Sequence, residues 1–351
     1  MEKVDVLVVG AGPSGSSCAA VIAESGFNVV LIEKKSSVGE PVQCAEYIPK
    51  LFLRELDIKR DFISNEVFSM KTFIEFNETI ETKSPGYLID RMSFDRALCL
   101  NAIRKGAKMI IGAMAEGIED GCVLVRMKKG KNRFLARIIV GADGPLSTIG
   151  KCIGSRNRSF VNSCQVELLK KGDSNSTKVY FFDGCPGGYG WIFPKAETFN
   201  VGVGVGVKFK KNPQKVLDYF LDKLRLVKKD VIRLTKGLIP SGGILDTVVK
   251  DNIVLIGDAA GLTHSITGAG IPQAVTSGKM AGKVIVKSLK SNDNGILEDY
   301  DRGILELWGD YIGTALRKRK YVETNWNKGN LENIIRNTWV AFKEYYQKVN
   351  E

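Results

Sequence analysis

A chain of 351 residues with one histidine, His264, cannot build a histidine-based metal centre and has little scope for a histidine-dependent triad. Cysteine is also sparse. Seven residues, an odd number with no Cys-x-x-Cys pair, argue against a disulfide scaffold and a zinc site, so no metal is expected. No repeat or low-complexity linker is visible. A continuous membrane-length apolar run is missing too: residues 6–23 are uncharged, but Gly10, Gly12, Pro13, Ser14, Gly15, Ser16 and Ser17 break them into strand, loop and helix. The opening MEKVDVLVVGAG carries acidic residues, then glycine and proline, where a secretory apolar core would continue. A reducing, cytoplasmic location is therefore expected. What remains is ordinary globular composition, 44% hydrophobic and 26% charged, with 37 glycines clustered in short loops.

Acidic charge is in deficit, giving a formal net charge of +12. Residues 205–236 hold ten Lys/Arg against three Asp, and Arg317, Lys318, Arg319 and Lys320 form a second knot. Two readings stand: a solvated basic face, or a surface for anionic lipid on the inner face of a membrane or for an acidic partner. No nucleic-acid motif accompanies the charge, so nucleic acid is not expected. Residues 213–227 read as a helix with Val216, Leu217, Phe220, Leu221 and Leu224 near one face. Lys215, Lys223 and Arg225 lie off that stripe, and Lys208, Lys210, Lys211, Lys228 and Lys229 flank it.

Residues 4–9 read as a buried strand, 13–25 as a helix opened by Pro13, and 28–33 as a second strand ending in Glu33, together one βαβ unit. Residues 36–50 read as a loop and 67–83 as paired strands. Residues 93–105 read as a helix with Ser93 as N-cap, followed by strands near 108–112, 122–127 and 134–140. Residues 163–209 have β character. Gly202, Gly204 and Gly206 alternate with valine, a strand with one glycine face that leaves room for another backbone or a flat ligand. A strand at 253–257 and helices at 272–289 and 297–316 follow, with further helix expected to Glu351.

Gly10, Gly12 and Gly15 stand in G-x-G-x-x-G spacing between the first strand and the helix, and Glu33 closes the second strand 18 residues after Gly15. Gly10 permits the tight turn, Gly12 admits a pyrophosphate and Gly15 lets helix and strand pack closely. Glu33 is placed to accept hydrogen bonds from an adenosine ribose. FAD and NAD both suit this loop. Two later segments favour FAD: IIVGADGPLSTIGK, with Asp143, and NIVLIGDAAGLTHSITGAGIPQAV, with Asp258 at a strand end. Asp258 can bond a ribityl chain, and the helix opening near Gly270-Ile271 can aim N–H groups at a flavin ring. Tyr189 and Trp191 alternate on one strand and share a face, either as a core pair or as the wall of a substrate pocket. His264 is either a proton donor or a loop histidine without a role.

The order of these three segments resembles the flavoproteins that include aromatic hydroxylases, and most closely the geranylgeranyl reductases, among them the archaeal digeranylgeranylglycerophospholipid reductases. PVQCAEYIP (41–49) is similar to their P-x-x-C-G-x loop, with Ala45 where the family has glycine. YLIDRMSFDRAL (87–98) is similar to their Arg-x-x-Phe-Asp segment, and GGYGWIFP (187–194) to their Y-x-W-x-F-P motif. The likeness covers about residues 1–290 and is only general beyond.

The resemblance implies an α/β fold: a Rossmann-like FAD-binding domain (1–66, 88–160, 241–290) interleaved with a mixed α+β antiparallel-sheet substrate domain (67–87, 161–240), then a helical region (291–351), an architecture like p-hydroxybenzoate hydroxylase. It implies FAD contacts at Ser14, Glu33, Cys44, Ala45, Tyr47, Arg91, Ala115, Asp258, Gly270 and Ile271, with a largely structural role for Asp143. Cys44, Tyr189 and Trp191 are the candidate catalytic residues. The implied reaction is saturation of C=C bonds in a polyprenyl chain of a lipid or quinone by hydride from reduced flavin. Ferredoxin, another low-potential carrier or a reduced nicotinamide would supply the electrons. The alternatives are a flavin-dependent hydroxylase or halogenase on the same scaffold, a flavoprotein acting on a smaller substrate, or a basic membrane- or partner-binding flavoprotein without turnover.

Overall fold

The computed structural model describes residues 1–128, 130–169, 174–226 and 230–347. In chain order the elements are β1 (Glu2–Val9), α1 (Pro13–Glu24), β2 (Val29–Glu33), β3 (Tyr47–Pro49), β4 (Ile63–Ile74), β5 (Asn77–Ile89), α2 (Arg91–Arg104), β6 (Lys108–Ile111), β7 (Met114–Glu119), β8 (Cys122–Met127) and β9 (Gly130–Gly141). There follow α3 (Thr148–Cys152), β10 (Phe160–Leu169), β11 (Ser176–Phe181), β12 (Tyr189–Pro194), β13 (Thr198–Gly206), α4 (Pro213–Lys223), β14 (Val231–Pro240), β15 (Val249–Lys250), β16 (Ile253–Leu255), α5 (Ile271–Ser291), α6 (Glu298–Asn325) and α7 (Leu331–Thr338).

The first sheet runs β15-β16-β9-β1-β2-β6, and the β7–β8 hairpin joins the start of β9. Its centre is parallel: Val6–Val9 of β1 pair with Val29–Ile32 on one side and Ile138–Gly141 on the other. Strands covered on both faces need continuous apolar residues. Val6, Leu7, Val8, Val30, Leu31 and Ile32 are accordingly inaccessible to solvent. Pro13 opens α1, with Gly12 at the N-cap. Helix α5 packs on α1 so closely that a side chain at Gly278 would collide with the Ser14 backbone.

The second sheet runs β14-β10-β13-β12-β11-β4-β5-β3 and is antiparallel except for β11 against β4. Its two faces have different covers. Val201, Val203 and Val205 turn to α4, where they meet Val216, Leu217, Phe220 and Leu221. Trp191 and Phe193 turn to the opposite side and pack with Trp326, Ile334, Ile335, Trp339 and Phe342 of the carboxy-terminal helices and the segment after them. This α/β arrangement is the expected fold class: a Rossmann-like layer, a largely antiparallel second sheet and a helical carboxy-terminal region. Among the described residues no helix is long and apolar enough to cross a membrane.

Several local expectations are corrected. The N-cap of α2 is Asp90, whose carboxylate accepts the Ser93 N–H at 2.7 Å. Residues 36–50 are not all loop, because Tyr47–Pro49 form β3 against β5. The glycine face of β13 is filled from within the chain: the Trp191 indole lies over Gly202, and Arg319 and Phe209 lie against Gly206. The basic knot is not one surface, since Lys318 and Arg319 are buried while Arg317 and Lys320 are exposed. The stripe on α4 is buried, and Lys208, Lys210, Lys211, Lys215, Lys223 and Arg225 around it are exposed. Lys228 and Lys229 lie outside the described residues.

Candidate flavin and substrate site

The amino-terminal turn is built by steric exclusion. A side chain at Gly10 would strike the Ala142 carbonyl, and one at Gly15 would strike the carbonyl of Gly10. Gly12 differs, because the space where its Cβ would stand is open. The loop is therefore packed beneath and vacant on the side a diphosphate would approach. Ser14 is buried, and its hydroxyl lies near Gly257, just before Asp258. Glu33 closes β2, and its carboxylate accepts the N–H groups of Ala11 and Lys35, each at 3.0 Å. Beside it, the Ala113 N–H donates to the Glu33 carbonyl at 2.8 Å, which brings the start of β7, with Ala115, to this end of the sheet.

A second group gathers around the segment before β3. The backbone N–H of Glu46 donates to Cys44 Sγ at 3.2 Å. Burial pushes the Cys44 thiol upward, against the pull of the Arg91 guanidinium beside it, so the proton stays on sulfur at neutral pH. Arg91 is held by Asp95, one turn along α2, at 2.6 Å. Ala45 offers its carbonyl to Asn200 at 3.3 Å, while Tyr47 bonds the Ser84 hydroxyl at 3.0 Å and meets Phe193 edge-on.

Glu46, only 1% exposed, anchors this segment. Its carboxylate accepts the Arg91 N–H at 2.8 Å and the Asn200 amide at 2.6 Å, and pairs with Lys195 at 3.0 Å. Lys195 also approaches Glu167 at 3.6 Å, and Glu167 pairs with Arg233 at 2.8 Å. The alternating charges satisfy one another, as buried ions require. Sequence reasoning passed over Glu46, Gln165, Glu167, Lys195, Asn200 and Arg233.

Asp258 follows β16, and burial raises its carboxyl, opposed by the Thr263 hydroxyl bonded to it at 2.8 Å. Gly270 caps α5, and a side chain there would sit against Asp258 and Thr263. Ile271 is buried among Ile48, Phe62, Phe94 and Val275. In the first turn of α5, the buried Gln273 Oε1 has no partner. Asp143 plays an internal role, accepting the Ser147 hydroxyl at 2.5 Å and the Thr148 N–H at 2.6 Å.

His264 is fully buried, and burial lowers its pKa to about 4. Nδ1 accepts the Thr267 N–H at 3.1 Å, which puts the ring proton on Nε2, facing the Tyr345 hydroxyl at 3.3 Å. The ring is thus neutral, and both nitrogens are engaged by the protein.

The second sheet, the segment before α5 and helix α6 border a small, narrow cleft. Tyr189, Trp191 and Gly204 line one side, and residues 264–268 line another. The Tyr189 hydroxyl donates to the Thr267 carbonyl at 2.5 Å, joining the sides, and its ring lies 5.9 Å from Trp191 and 5.3 Å from Trp339. The Trp191 N–H donates to Gln165 Oε1 at 2.8 Å, and the Gln165 amide donates to the Cys44 carbonyl at 3.1 Å. Trp191 is therefore joined to Cys44 through one intervening side chain, Gln165.

Comparison with known proteins agrees with this layout. Residues 8–50 match the model for an NAD(P)-binding Rossmann-like domain, and residues 161–239 match that for the geranylgeranyl reductase catalytic domain. Digeranylgeranylglycerophospholipid reductase 3 of Methanosphaera stadtmanae is 34% identical over 92% of this chain and 86% of its own length. The digeranylgeranylglycerophospholipid reductase of Methanocaldococcus jannaschii is 35% identical over 92% of this chain and 87% of its own. The chain belongs to the geranylgeranyl reductase family. A geranylgeranyl bacteriochlorophyll reductase-like protein from Thermoplasma acidophilum superposes with a TM-score of 0.89 at 28% identity, over 98% of this chain and 92% of that one. A flavin-dependent brominase shares the fold, with a TM-score of 0.71 at 18% identity over 95% of this chain and 92% of that one.

Within the geranylgeranyl reductase family, this chain's cradle has the features a flavin dinucleotide requires. Gly12 leaves room for the diphosphate, and Glu33 offers a fixed carboxylate at the strand end. The α5 amino terminus, with Asp258 beside it and an unpaired Gln273 oxygen within its first turn, has polar capacity that the chain itself does not use.

Proposed function

We propose that this chain binds FAD and, with the cofactor reduced, saturates C=C bonds of a geranylgeranyl or related polyprenyl chain carried by a lipid or quinone. The observation that carries the reading is the single cleft in which Tyr189 and Trp191 of the second sheet face residues 264–268, the segment between Asp258 and the start of α5. Gly10, Gly12, Ser14, Gly15 and Arg91 would hold the diphosphate. Glu33 and Ala115 would hold the adenosine, and Asp258, Gly270, Ile271, Cys44, Ala45 and Tyr47 the ribityl chain and ring.

When bound and reduced, FAD would supply the hydride that one alkene carbon takes. An isolated alkene gives little electronic help, so the chain's contribution is position and dryness. Tyr189 and Trp191 make an apolar wall that holds the double bond and excludes water, and Phe193 packs behind it. The second carbon needs a proton, and the Cys44 thiol is the group we assign to it. Burial keeps its proton in place, and the Arg91 guanidinium compensates the thiolate left behind. His264 is not assigned this role, because both of its nitrogens are already bonded within the protein. Electrons come from a low-potential carrier such as ferredoxin or from a reduced nicotinamide. The exposed lysines around α4 support contact with an anionic bilayer, tested by salt-sensitive vesicle flotation.

The deciding experiment reduces the flavin without oxygen, then adds either a geranylgeranyl lipid or oxygen. Reoxidation by the lipid, with a saturated product, supports the reductase. No reoxidation by lipid, with rapid reaction with oxygen and an oxygenated product, would replace it with a monooxygenase.

A further inference from the structure

Glu46 has a backbone conformation that its residue type seldom adopts. Among the described residues, eight non-glycine positions have a left-handed φ, and Glu46, at 73°, is the one that is buried. Such a conformation persists only where its surroundings hold it. Four elements do so here. The carboxylate accepts the Arg91 N–H at the start of α2 and the Asn200 amide on β13, and it pairs with Lys195 just past β12. The Glu46 carbonyl accepts the Ile89 N–H of β5 at 2.9 Å. Residues 47–49 are fixed by their pairing with β5, so φ at Glu46 sets the direction of the peptide group before it. Both ends of that group are used. Its N–H donates to Cys44 Sγ at 3.2 Å, and its carbonyl, on Ala45, accepts the Asn200 amide at 3.3 Å. One amide therefore holds both the Glu46 carboxylate and the peptide that this residue orients.

We propose that Glu46 is a positioning residue for proton donation by Cys44. Its carboxylate holds the left-handed turn, the turn aims the N–H at sulfur, and the N–H steadies the thiolate left when the proton leaves. The inference rests on Cys44 being the proton donor of the reaction proposed above. In that step the S–H bond breaks as the second alkene carbon gains its C–H bond. The electron pair stays on sulfur, and water returns the proton before the next turnover. The ionisable groups in electrostatic reach of the sulfur are Glu46 on its own segment, Arg91 on α2 and Tyr189 on β12. Burial raises the thiol most. Arg91 and the Glu46 N–H lower it, and the Glu46 carboxylate raises it by less than the N–H lowers it. Glu46 therefore acts on the thiol in two opposite ways, and its backbone is the stronger.

The test compares Glu46→Gly with Glu46→Ala in the flavin-loaded protein. Both lose the carboxylate, so both should melt below the parent. Glycine takes a positive φ without strain and keeps the N–H on sulfur, whereas alanine relaxes to negative φ and turns it away. Alkylation of Cys44 by iodoacetamide, followed against pH by peptide mass spectrometry, reports the thiolate. Its pH midpoint should stay at or below that of the parent in the glycine variant and rise by about one unit in the alanine variant. The pH above which geranylgeraniol reoxidises reduced flavin more slowly should move in the same direction. Asn200→Ala leaves residue 46 intact but frees its carboxylate and the Ala45 carbonyl. It should raise the midpoint too, and it decides the matter if alanine at 46 prevents folding. Equal midpoints in the glycine and alanine variants, or a midpoint that Asn200→Ala leaves unmoved, would reduce Glu46 to a structural anchor. If Cys44→Ala reoxidises flavin as fast as the parent, or geranylgeraniol does not reoxidise it at all, the proposed donor or reaction fails instead. The alkylation series then still judges whether Glu46 positions the thiol.

Discussion

The indole N–H of Trp191 donates to Gln165 at 2.8 Å, and the same amide passes a second hydrogen bond to the Cys44 carbonyl at 3.1 Å. One side chain on β10 therefore sets both the tilt of an aromatic ring on β12 and the path of the segment before β3. The register places it there: Gln165 pairs with Gly202 of β13, and Gly202 with Trp191. The absent side chain at Gly202 lets the indole lie flat over that strand and reach Gln165.

Gln165→Leu should break both bonds and leave a buried N–H and a carbonyl unpaired. An unsatisfied buried group costs about 1–3 kcal/mol, so thermal stability should fall. Turnover should fall more than flavin content, since Trp191 and Cys44 lose their common support. Trp191→Phe removes only the N–H and keeps an aromatic wall. In a double-mutant cycle the two changes should be strongly non-additive. Additive losses would show that Gln165 does not couple the two sides.

Glu46→Gln tests the buried ion network. The amide keeps the shape but removes the charge that faces Lys195 and Asn200 at 3.0 and 2.6 Å. Breaking a buried pair from one side costs up to about 3–5 kcal/mol, and here Lys195 keeps only the more distant Glu167 at 3.6 Å. The urea midpoint should drop accordingly. Flavin should dissociate more readily, because the Glu46 carboxylate also holds the start of α2 through the Arg91 N–H. A variant as stable as the parent would reduce the network to a surface-like pair.

What could be read in advance followed sequence distance. Gly10, Gly12, Gly15 and Glu33 fall within 24 residues, and their roles follow from one βαβ unit. Glu46, Glu167, Lys195 and Arg233 span nearly 190 residues and meet only because β14, β10, β13 and β12 are neighbours. No local spacing encodes that strand order. Two local features run against the simplest sequence pattern. Asp90 and Ser93 are both capping residue types three positions apart, and the cap is Asp90 because its carboxylate reaches the Ser93 N–H while Ser93 already lies within the first turn. In the basic knot, Arg319 falls on the Ile312, Ala315, Val322 stripe of α6 at helical spacing, which carries it inward despite its charge.

Glu33→Ala and Asp258→Ala address the cofactor from its two ends. Each removes a carboxylate proposed to accept hydroxyls of FAD. A hydrogen bond to a charged group is worth about 1.5–3 kcal/mol, so affinity should fall by roughly tenfold to a hundredfold in each. Glu33→Ala also frees the Ala11 and Lys35 N–H groups, so it should cost some stability without ligand. Fluorescence titration of the stripped protein with FAD checks both. Unaltered affinity in both variants would mean that the dinucleotide lies elsewhere.

The last prediction uses the buried histidine as a pH probe of the fold. An ordinary histidine takes its proton near pH 6.5, whereas burial holds His264 near 4. Between these values the unfolded chain binds a proton that the folded chain does not. Stability is therefore complete above pH 6.5, declines as pH falls through that window, and levels off below about 4. The slope from one such group is about 1.4 kcal/mol per pH unit, or about 2 kcal/mol between pH 6.5 and 5. His264→Gln keeps an acceptor for the Thr267 N–H and a donor toward Tyr345 but cannot titrate, so its urea midpoint should vary less between pH 7.5 and 5 than that of the parent. Because the native ring stays neutral from pH 5 to 8, the activity profile over that range should show no step that this substitution removes. Matching pH slopes in the two proteins, or a step near pH 6.5 that vanishes in the variant, would show that His264 titrates normally in the folded chain.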